Sequence, residues 1–274
     1  MAPKLYLCSF ASSNLLLTRK RFEFQAKKMK IYDHICLYDE TDLSEVYLKK
    51  FSKLFNLRGF AYWSWKPEVI LQTLSKMNDG DILQYTDMGC HLNYKGKNRL
   101  RDYINKTSFS KNGFLVFQMK SQPENQWTKS SVFNFFEIEN EEIITNSDQI
   151  VGTVFFIKKC SESIKIIKYW LNLVYTNFEL FDDSESHFHD FDNFKEHRHD
   201  QSVFSVIAKI NGTSKLSADE IWQKDWKKLY NFPIHAKRDK EIMNKASIIK
   251  QIKAVLPFFI INFYLRTTQR VFKH

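Results

Sequence analysis

The spacing of apolar positions switches repeatedly along the chain between the period of a strand and that of a helix. Residues 4–9 form a short apolar run that stops at Ala11-Ser12-Ser13-Asn14, which predicts an opening strand followed by a polar loop. A basic helix is expected over 15–30, a strand over 34–40 and a helix over 43–56. The segment KPEVILQTLSKM, 66–77, predicts a helix with Pro67 in its first turn, where a missing N–H costs nothing. Strands follow at 81–87, 113–119 and 149–159, an amphipathic helix at 161–177, and an apolar helix at 199–212 that opens on polar residues. This alternation predicts an α/β fold: a Rossmann-like mixed sheet flanked by helices. No repeat or low-complexity tract breaks it before about residue 240, so 1–240 reads as one domain and 241–274 as a separate basic tail.

The tail changes the picture of where the chain works. Residues 245–274 mix Lys and Arg with an apolar run, Ala254 to Leu265, interrupted by Pro257 and Asn262. That run falls short of the roughly 20 residues a bilayer span needs. It suits an amphipathic segment on an anionic membrane surface, or a helix docked on the core. The N-terminal apolar run is too short for a signal-peptide core. The four cysteines lie far apart without a CxxC pair and read as reduced thiols, so a cytoplasmic chain at the inner face of the plasma membrane is expected. The formal charge of +10 fits an anionic surface or phosphate-bearing substrates. Its basic residues are scattered instead of arrayed on one helix, and nucleic acid is not expected as a partner.

Candidate chemistry begins where the strand 81–87 runs into Thr86-Asp87-Met88-Gly89. A carboxylate at the end of a buried strand is costly unless a positive group meets it. In open α/β sheets ligands bind at the carboxyl ends of strands, which puts Asp87 at the expected cleft. A strand-end Asp can equally cap a turn. Gly89 would let the backbone approach a ligand.

Several segments together resemble GT-A-fold, nucleotide-sugar-dependent glycosyltransferases of bacterial capsule and lipopolysaccharide gene clusters. They are Tyr85-Thr86-Asp87-Met88-Gly89-Cys90, Trp63-Ser64-Trp65-Lys66-Pro67, Trp127-Thr128-Lys129, His197 to Ser202, and a basic segment near Arg238. They occur in family order across about residues 4–240, with Gly89 standing where the usual D-x-D motif has its second acid. The resemblance implies a GT-A-like fold and transfer of a hexose, galactose as first guess, from a UDP-sugar to a growing surface glycan that is often lipid-linked. It implies a divalent cation, Mn²⁺ or Mg²⁺, on Asp87, with His235 as a second ligand, because hard oxygen ligands suit such ions. Ser9, Phe10, Ala11 and Ser12 would hold the nucleoside. Trp63 and Trp65 stand just before the helix that Lys66 opens, where they either wall the donor pocket or pack in the core. Lys66, Lys237 and Arg238 would share the diphosphate charge. Asp200 would face the transferred sugar as base or orienting group, with Gln201 on sugar hydroxyls and His197 and His199 beside it. Gln118, Glu124 and Trp127 would shape the acceptor side. Placed at a helix N-terminus, Asp200 is expected to stay ionised.

The same region supports other readings. Residues 182–202 hold four histidines and five aspartates, the ligand types of a zinc or di-metal phosphohydrolase, although no H-x-x-x-H spacing is present. A solvated polar loop accounts for them as well. A non-catalytic binder of anionic surfaces would explain the charge and the tail without any chemistry.

Overall fold

The computed structural model describes residues 3–239. The expectation of a helical tail at 241–274 lies outside the described residues. The elements that place the site are β1 (Leu5–Phe10), α1 (Leu16–Met29), β2 (His34–Tyr38), α2 (Glu45–Phe51), α3 (Lys66–Ser75), β3 (Ile82–Thr86) and β4 (His91–Leu92). They continue with α4 (Lys97–Ser108), β5 (Phe114–Pro123), β6 (Asp148–Lys158), α5 (Ser161–Thr176), α6 (Asp200–Ile210), β7 (Ser214–Ser217) and β8 (Ile234–His235).

Six strands form one mixed sheet in the order β2-β1-β3-β6-β5-β7. β1 runs parallel to β2 and β3, whereas β6 is antiparallel to both β3 and β5. β4 and β8 make a separate two-stranded antiparallel ribbon that pairs His91 with His235. The expected α/β architecture is therefore present.

Strand pleating explains why the apolar runs were continuous. Tyr6, Cys8 and Phe10 of β1 enter one core, with Val69 and Leu74 of α3, Trp170 of α5 and Phe204 of α6. Leu5 and Leu7, pointing the other way, join Phe22, Ala26 and Met29 of α1 and Leu100 and Tyr103 of α4. A sheet covered on both faces has no polar side, so its strands lack the alternating pattern of a half-exposed sheet. Trp170 is fully buried and stacks on Phe204 with centroids 4.9 Å apart.

The differences from the sequence expectation are local. The helix expected at 43–56 ends at Phe51 and tightens into a 3₁₀ turn at Ser52–Leu54. The strand expected at 113–119 runs on to Pro123 through two register shifts after Val116. The apolar pattern does not predict α4, because only Leu100, Tyr103 and Thr107 of its twelve residues are buried. β7, SKLS, is a sheet edge with a single apolar residue. Among the described residues no helix is long and apolar enough to cross a membrane.

Candidate active site

β3 delivers Asp87 to the carboxyl end of the parallel strands. Its backbone N–H still bonds Thr153 O of β6 (2.8 Å), and a turn then closes from Cys90 N–H to Asp87 O (2.9 Å). The positive group that meets the carboxylate is Lys66, at the N-terminus of α3. Its ammonium lies 3.6 Å from Asp87 Oδ1, donates to Gly152 O at 2.9 Å, and makes a direct ion pair with Asp200 Oδ2 at the start of α6. Tyr85 OH donates a hydrogen bond to the same Asp87 Oδ1 (2.7 Å). Two carboxylates thus share one cation that is only 2% exposed.

Burial alone would lower the Lys66 pKa; Asp200 and Asp87 outweigh it and raise the pKa, which keeps the lysine charged. Asp200, paired with Lys66, remains ionised at neutral pH, but its pKa is not that of an ordinary carboxylate. Burial, opposed by Lys66 and reinforced by Asp87, raises its pKa to about 6. The helix N-terminus does not hold Asp200 at an ordinary carboxylate value, because desolvation of a buried charge exceeds the dipole contribution. Burial, with Asp87 beside it, also raises Tyr85 well above the usual phenol range, so it remains a donor.

The approach to Lys66 is built from unusual backbone. Gly59, Phe60, Ala61, Tyr62 and Trp63 all have φ between 55° and 65°, one left-handed turn. Each non-glycine residue there costs roughly 1–2 kcal/mol. Burial of Ala61 and Tyr62 and the Trp65 Nε1–H bond to Gly59 O (3.2 Å) help offset that cost. Gly59 is obligatory, since a Cβ would come within 2.3 Å of the Trp63 ring.

Residues outside the sequence-predicted set hold the constellation in place. Gly152 of β6 faces the first turn of α6, where a Cβ would lie 3.2 Å from Gln201 Cβ and 3.4 Å from Asp200 Oδ2. Gln201 Oε1 accepts from Gly152 N (3.2 Å), and its amide donates to Gln149 Oε1 (2.9 Å). Arg21, inaccessible to solvent on α1, donates to Met88 O (2.9 Å) and Cys90 O (2.7 Å) and so clamps the turn after Asp87. Burial lowers its pKa to about 10, which leaves it cationic. Arg198 lays its guanidinium 3.6 Å from the Trp127 ring centroid and bonds Gln122 Oε1 at 2.7 Å. Only Arg198 and Tyr85 could have been noticed in the sequence, since both stand inside the quoted segments.

The remaining candidates fall into two groups. Near the strand ends, Ser9 Oγ donates to Thr86 O (2.6 Å), Phe10 stacks on buried Trp65 (centroids 4.0 Å apart), and Ala11 N–H bonds Tyr38 O (3.0 Å). Gly89 lies against the Arg238 backbone, 3.3 Å from where its Cβ would be, and its carbonyl accepts from Asp239 N (2.9 Å). Arg238, at φ 55°, is exposed. The basic segment therefore occupies the space beside the position where a D-x-D second acid would stand.

Other candidates are engaged elsewhere. Glu124 is fully buried in a network with Lys209 Nζ (2.8 Å), Thr128 Oγ1 (2.6 Å), Gln149 and Ser205. Gln118 donates to Asp148 O (2.9 Å). One face of Trp127 is covered by Arg198. His197 bonds Leu180 O through Nε2 (2.9 Å) and His199 bonds Phe181 O through Nδ1 (2.8 Å), which assigns them opposite tautomers. Burial lowers the pKa of both. His235 Nε2 bonds Leu229 O (2.8 Å), and Lys237 Nζ lies 5.3 Å from the Trp226 ring centroid.

For the divalent cation expected on Asp87, donor phosphate oxygens and water would have to complete the shell, because the described residues themselves offer few ligands. Asp87 Oδ1 is already committed to Tyr85 and sits beside the Lys66 ammonium, which would repel a dication at the same carboxylate. Among the described residues no group of three His, Cys, Asp or Glu side chains could hold a metal. The same finding leaves the phosphohydrolase reading of residues 182–202 without a ligand cluster, and His187 and His189 are exposed.

No protein-family model matches the chain, and no curated protein does. A solved glycosyltransferase involved in glycosylation of the major capsid of PBCV-1 is similar over 92% of this chain and 98% of its own, with 14% identity and a TM-score of 0.51. The chain shares its fold. Mouse xyloside xylosyltransferase 1 aligns over 85% of this chain and 97% of its own at 6% identity and a TM-score of 0.46. The glycosyltransferase GlyE of Streptococcus pneumoniae TIGR4 aligns over 97% and 64% at 11% identity and a TM-score of 0.44. At these identities the likeness concerns architecture, and the chemistry rests on the residues of the cleft.

Proposed function

We propose that the chain is a glycosyltransferase that moves a hexose from a nucleoside-diphosphate sugar to a hydroxyl of a growing glycan. The observation that carries this reading is the Asp87–Lys66–Asp200 constellation at the carboxyl ends of the strands, in which Lys66 and Asp200 are buried and Asp87 is half-buried. A hydrolytic metal site would need clustered ligands; glycosyl transfer needs fixed charge of both signs in a water-poor cleft.

The reaction breaks the bond between the anomeric carbon and the diphosphate and forms one from that carbon to the acceptor oxygen. The acceptor hydroxyl gives up a proton, and negative charge grows on the departing diphosphate. Asp200 is the group we assign to the sugar side. In an inverting reaction it takes the hydroxyl proton; in a retaining one it orients the sugar. Its raised pKa makes it a better base than a surface aspartate, and Lys66 holds it in place. Arg238 and Arg198 are the cations we assign to the diphosphate, and Asp87 and Asp200 together fix Lys66. Ser9, Phe10 and Ala11, at the end of β1, are the nucleoside side. A UDP-hexose, with galactose first, and a lipid-linked surface glycan are the substrates we favour, at the inner face of the plasma membrane.

The test is a thermal-shift series over nucleoside diphosphates, with and without Mn²⁺ or Mg²⁺, followed by donor hydrolysis and transfer. Only a ligand that prefers the native state raises the melting temperature. UDP should raise it, and Asp87→Ala and Asp200→Ala should both lose transfer while remaining folded. Full activity in both variants would end the reading.

A further inference from the structure

The surface around the β4–β8 ribbon carries aromatic rings and lysines that the cleft does not use. Trp222 and Tyr230 are each 56% exposed and Tyr94 is 45% exposed. Lys28 lies 4.6 Å from the Tyr94 ring centroid, Lys95 4.1 Å from that of Tyr230, and Lys237 5.3 Å from that of Trp226. Asn93 ties the two sides together by donating to Tyr230 O (2.7 Å) and Phe232 O (3.0 Å). Lys224, Lys227 and Lys228 are exposed on the same 222–230 segment, where Asp225 is the one acid. Isolated exposed apolar residues are ordinary on a protein surface. Here Tyr94 and Tyr230 are joined through Asn93 and Lys95, Trp222 stands on the same 222–230 segment as Tyr230, and lysines accompany them.

We propose that this face docks on an anionic lipid bilayer, with the rings at headgroup level and the lysines on lipid phosphates. Amphipathic aromatic rings favour that interface, and each lysine close to an anionic surface adds attraction. Single-stranded nucleic acid also takes basic, aromatic surfaces, but it needs open ring faces for base stacking. Three of these rings already carry a lysine on one face. Two positional facts support the lipid. Residues 240–274, with seven Lys or Arg and one Glu around an apolar run, begin one residue after Asp239 beside β8. The ribbon also follows directly from the Asp87–Cys90 turn, and His91 Nε2 contacts Asp239 Oδ2 at 2.6 Å. Docking by this face would set the mouth of the cleft at the membrane surface, where a lipid-linked acceptor presents its sugar.

This inference rests on the membrane part of the proposed function and not on the transfer chemistry. The experiment is co-sedimentation of the full chain with vesicles of phosphatidylcholine alone or mixed with phosphatidylglycerol, at low and high salt. Two double variants are compared after their melting temperatures confirm folding: Lys227→Glu with Lys228→Glu, and Trp222→Ser with Tyr230→Ser. The unmodified chain should bind only the phosphatidylglycerol vesicles, and less at high salt. The charge-reversal pair should bind about tenfold or more weakly, and the serine pair should also lose affinity. No binding by the unmodified chain overturns both the patch and the membrane reading. Binding unchanged in both double variants assigns attachment to residues 240–274 and overturns the patch alone. Tighter binding to a single-stranded oligonucleotide than to the vesicles also overturns it. UDP-dependent stabilisation, measured in parallel, reports the transfer reading independently.

Discussion

Lys66 and Asp200, 134 positions apart in sequence, meet as a buried ion pair, with Asp87 3.6 Å from the same ammonium. One cation is thus common to the end of a strand and the start of a helix. Asp200 could not be buried there alone, and the lysine would not be buried without the two carboxylates.

The consequence for stability is asymmetric. Lys66→Met leaves two carboxylates facing one another, with Asp200 only 5% exposed. Removing one partner of a buried pair typically costs ~3–5 kcal/mol. The Lys66→Met variant should lose stability of that order in urea titration, and adding Asp200→Asn should restore part of it. Strictly additive losses in the double variant would show that the two side chains do not act as a pair.

The pH dependence follows from Asp200. Burial raises its folded pKa to about 6 from an ordinary 3.8. The folded state therefore binds this proton more tightly than the unfolded state. That contribution to stability is complete below 3.8 and is lost as pH rises through about 6. The sum is on the order of 3 kcal/mol. The unfolding free energy of Asp200→Asn relative to the unmodified chain should change across that window and level off above it. Transfer should show the opposite limb, falling as pH drops through about 6 where Asp200 takes up its proton. A profile with no acid limb near that value would remove Asp200 from the role of base.

Arg21 should matter as much as any residue of the cleft, though it touches no substrate position we assign. Its guanidinium satisfies the carbonyls of Met88 and Cys90 in the dry interior. Arg21→Met keeps the apolar stem and strands both acceptors, at a cost of about 1–3 kcal/mol for each buried unsatisfied group. The expected result is a lower melting temperature together with weaker UDP stabilisation, because the Asp87–Cys90 turn loosens. A lower melting temperature with an unchanged UDP response would confine Arg21 to a structural role.

What the sequence made legible is what depends on neighbours along the chain. A strand ending in Asp87, a helix opening at Pro67 and a polar start to α6 are all local patterns, and all stand where expected. The ion pair that joins them is invisible in one dimension, because Lys66 and Asp200 stand 134 positions apart. Arg21 was hidden in the basic run Arg19-Lys20-Arg21, which reads as a solvated helix face. Glu124 misled for the mirror reason: it follows a strand end, yet its carboxylate turns inward to Lys209. α4 was lost because three buried residues in twelve leave a weak apolar stripe.

Gly152 offers the sharpest test of how closely the cleft is built. It stands in the interior of a central strand, where glycine normally weakens pairing. Its carbonyl holds the Lys66 ammonium and its N–H bonds Gln201, so α6 must approach this strand at backbone distance. A methyl group would press on Gln201 Cβ at 3.2 Å and on Gln201 Cα at 3.3 Å, closer than those backbone-anchored atoms easily yield. Gly152→Ala should therefore push the first turn of α6 outward at a cost of ~1–3 kcal/mol. Displacement of Asp200 should lower kcat for transfer far more than it weakens UDP binding, since the nucleoside side we propose lies at the end of β1. Equal losses in kcat and in UDP affinity would place the strain on the whole cleft, and unaltered kcat would show that α6 tolerates the shift and that Asp200 need not be held so closely.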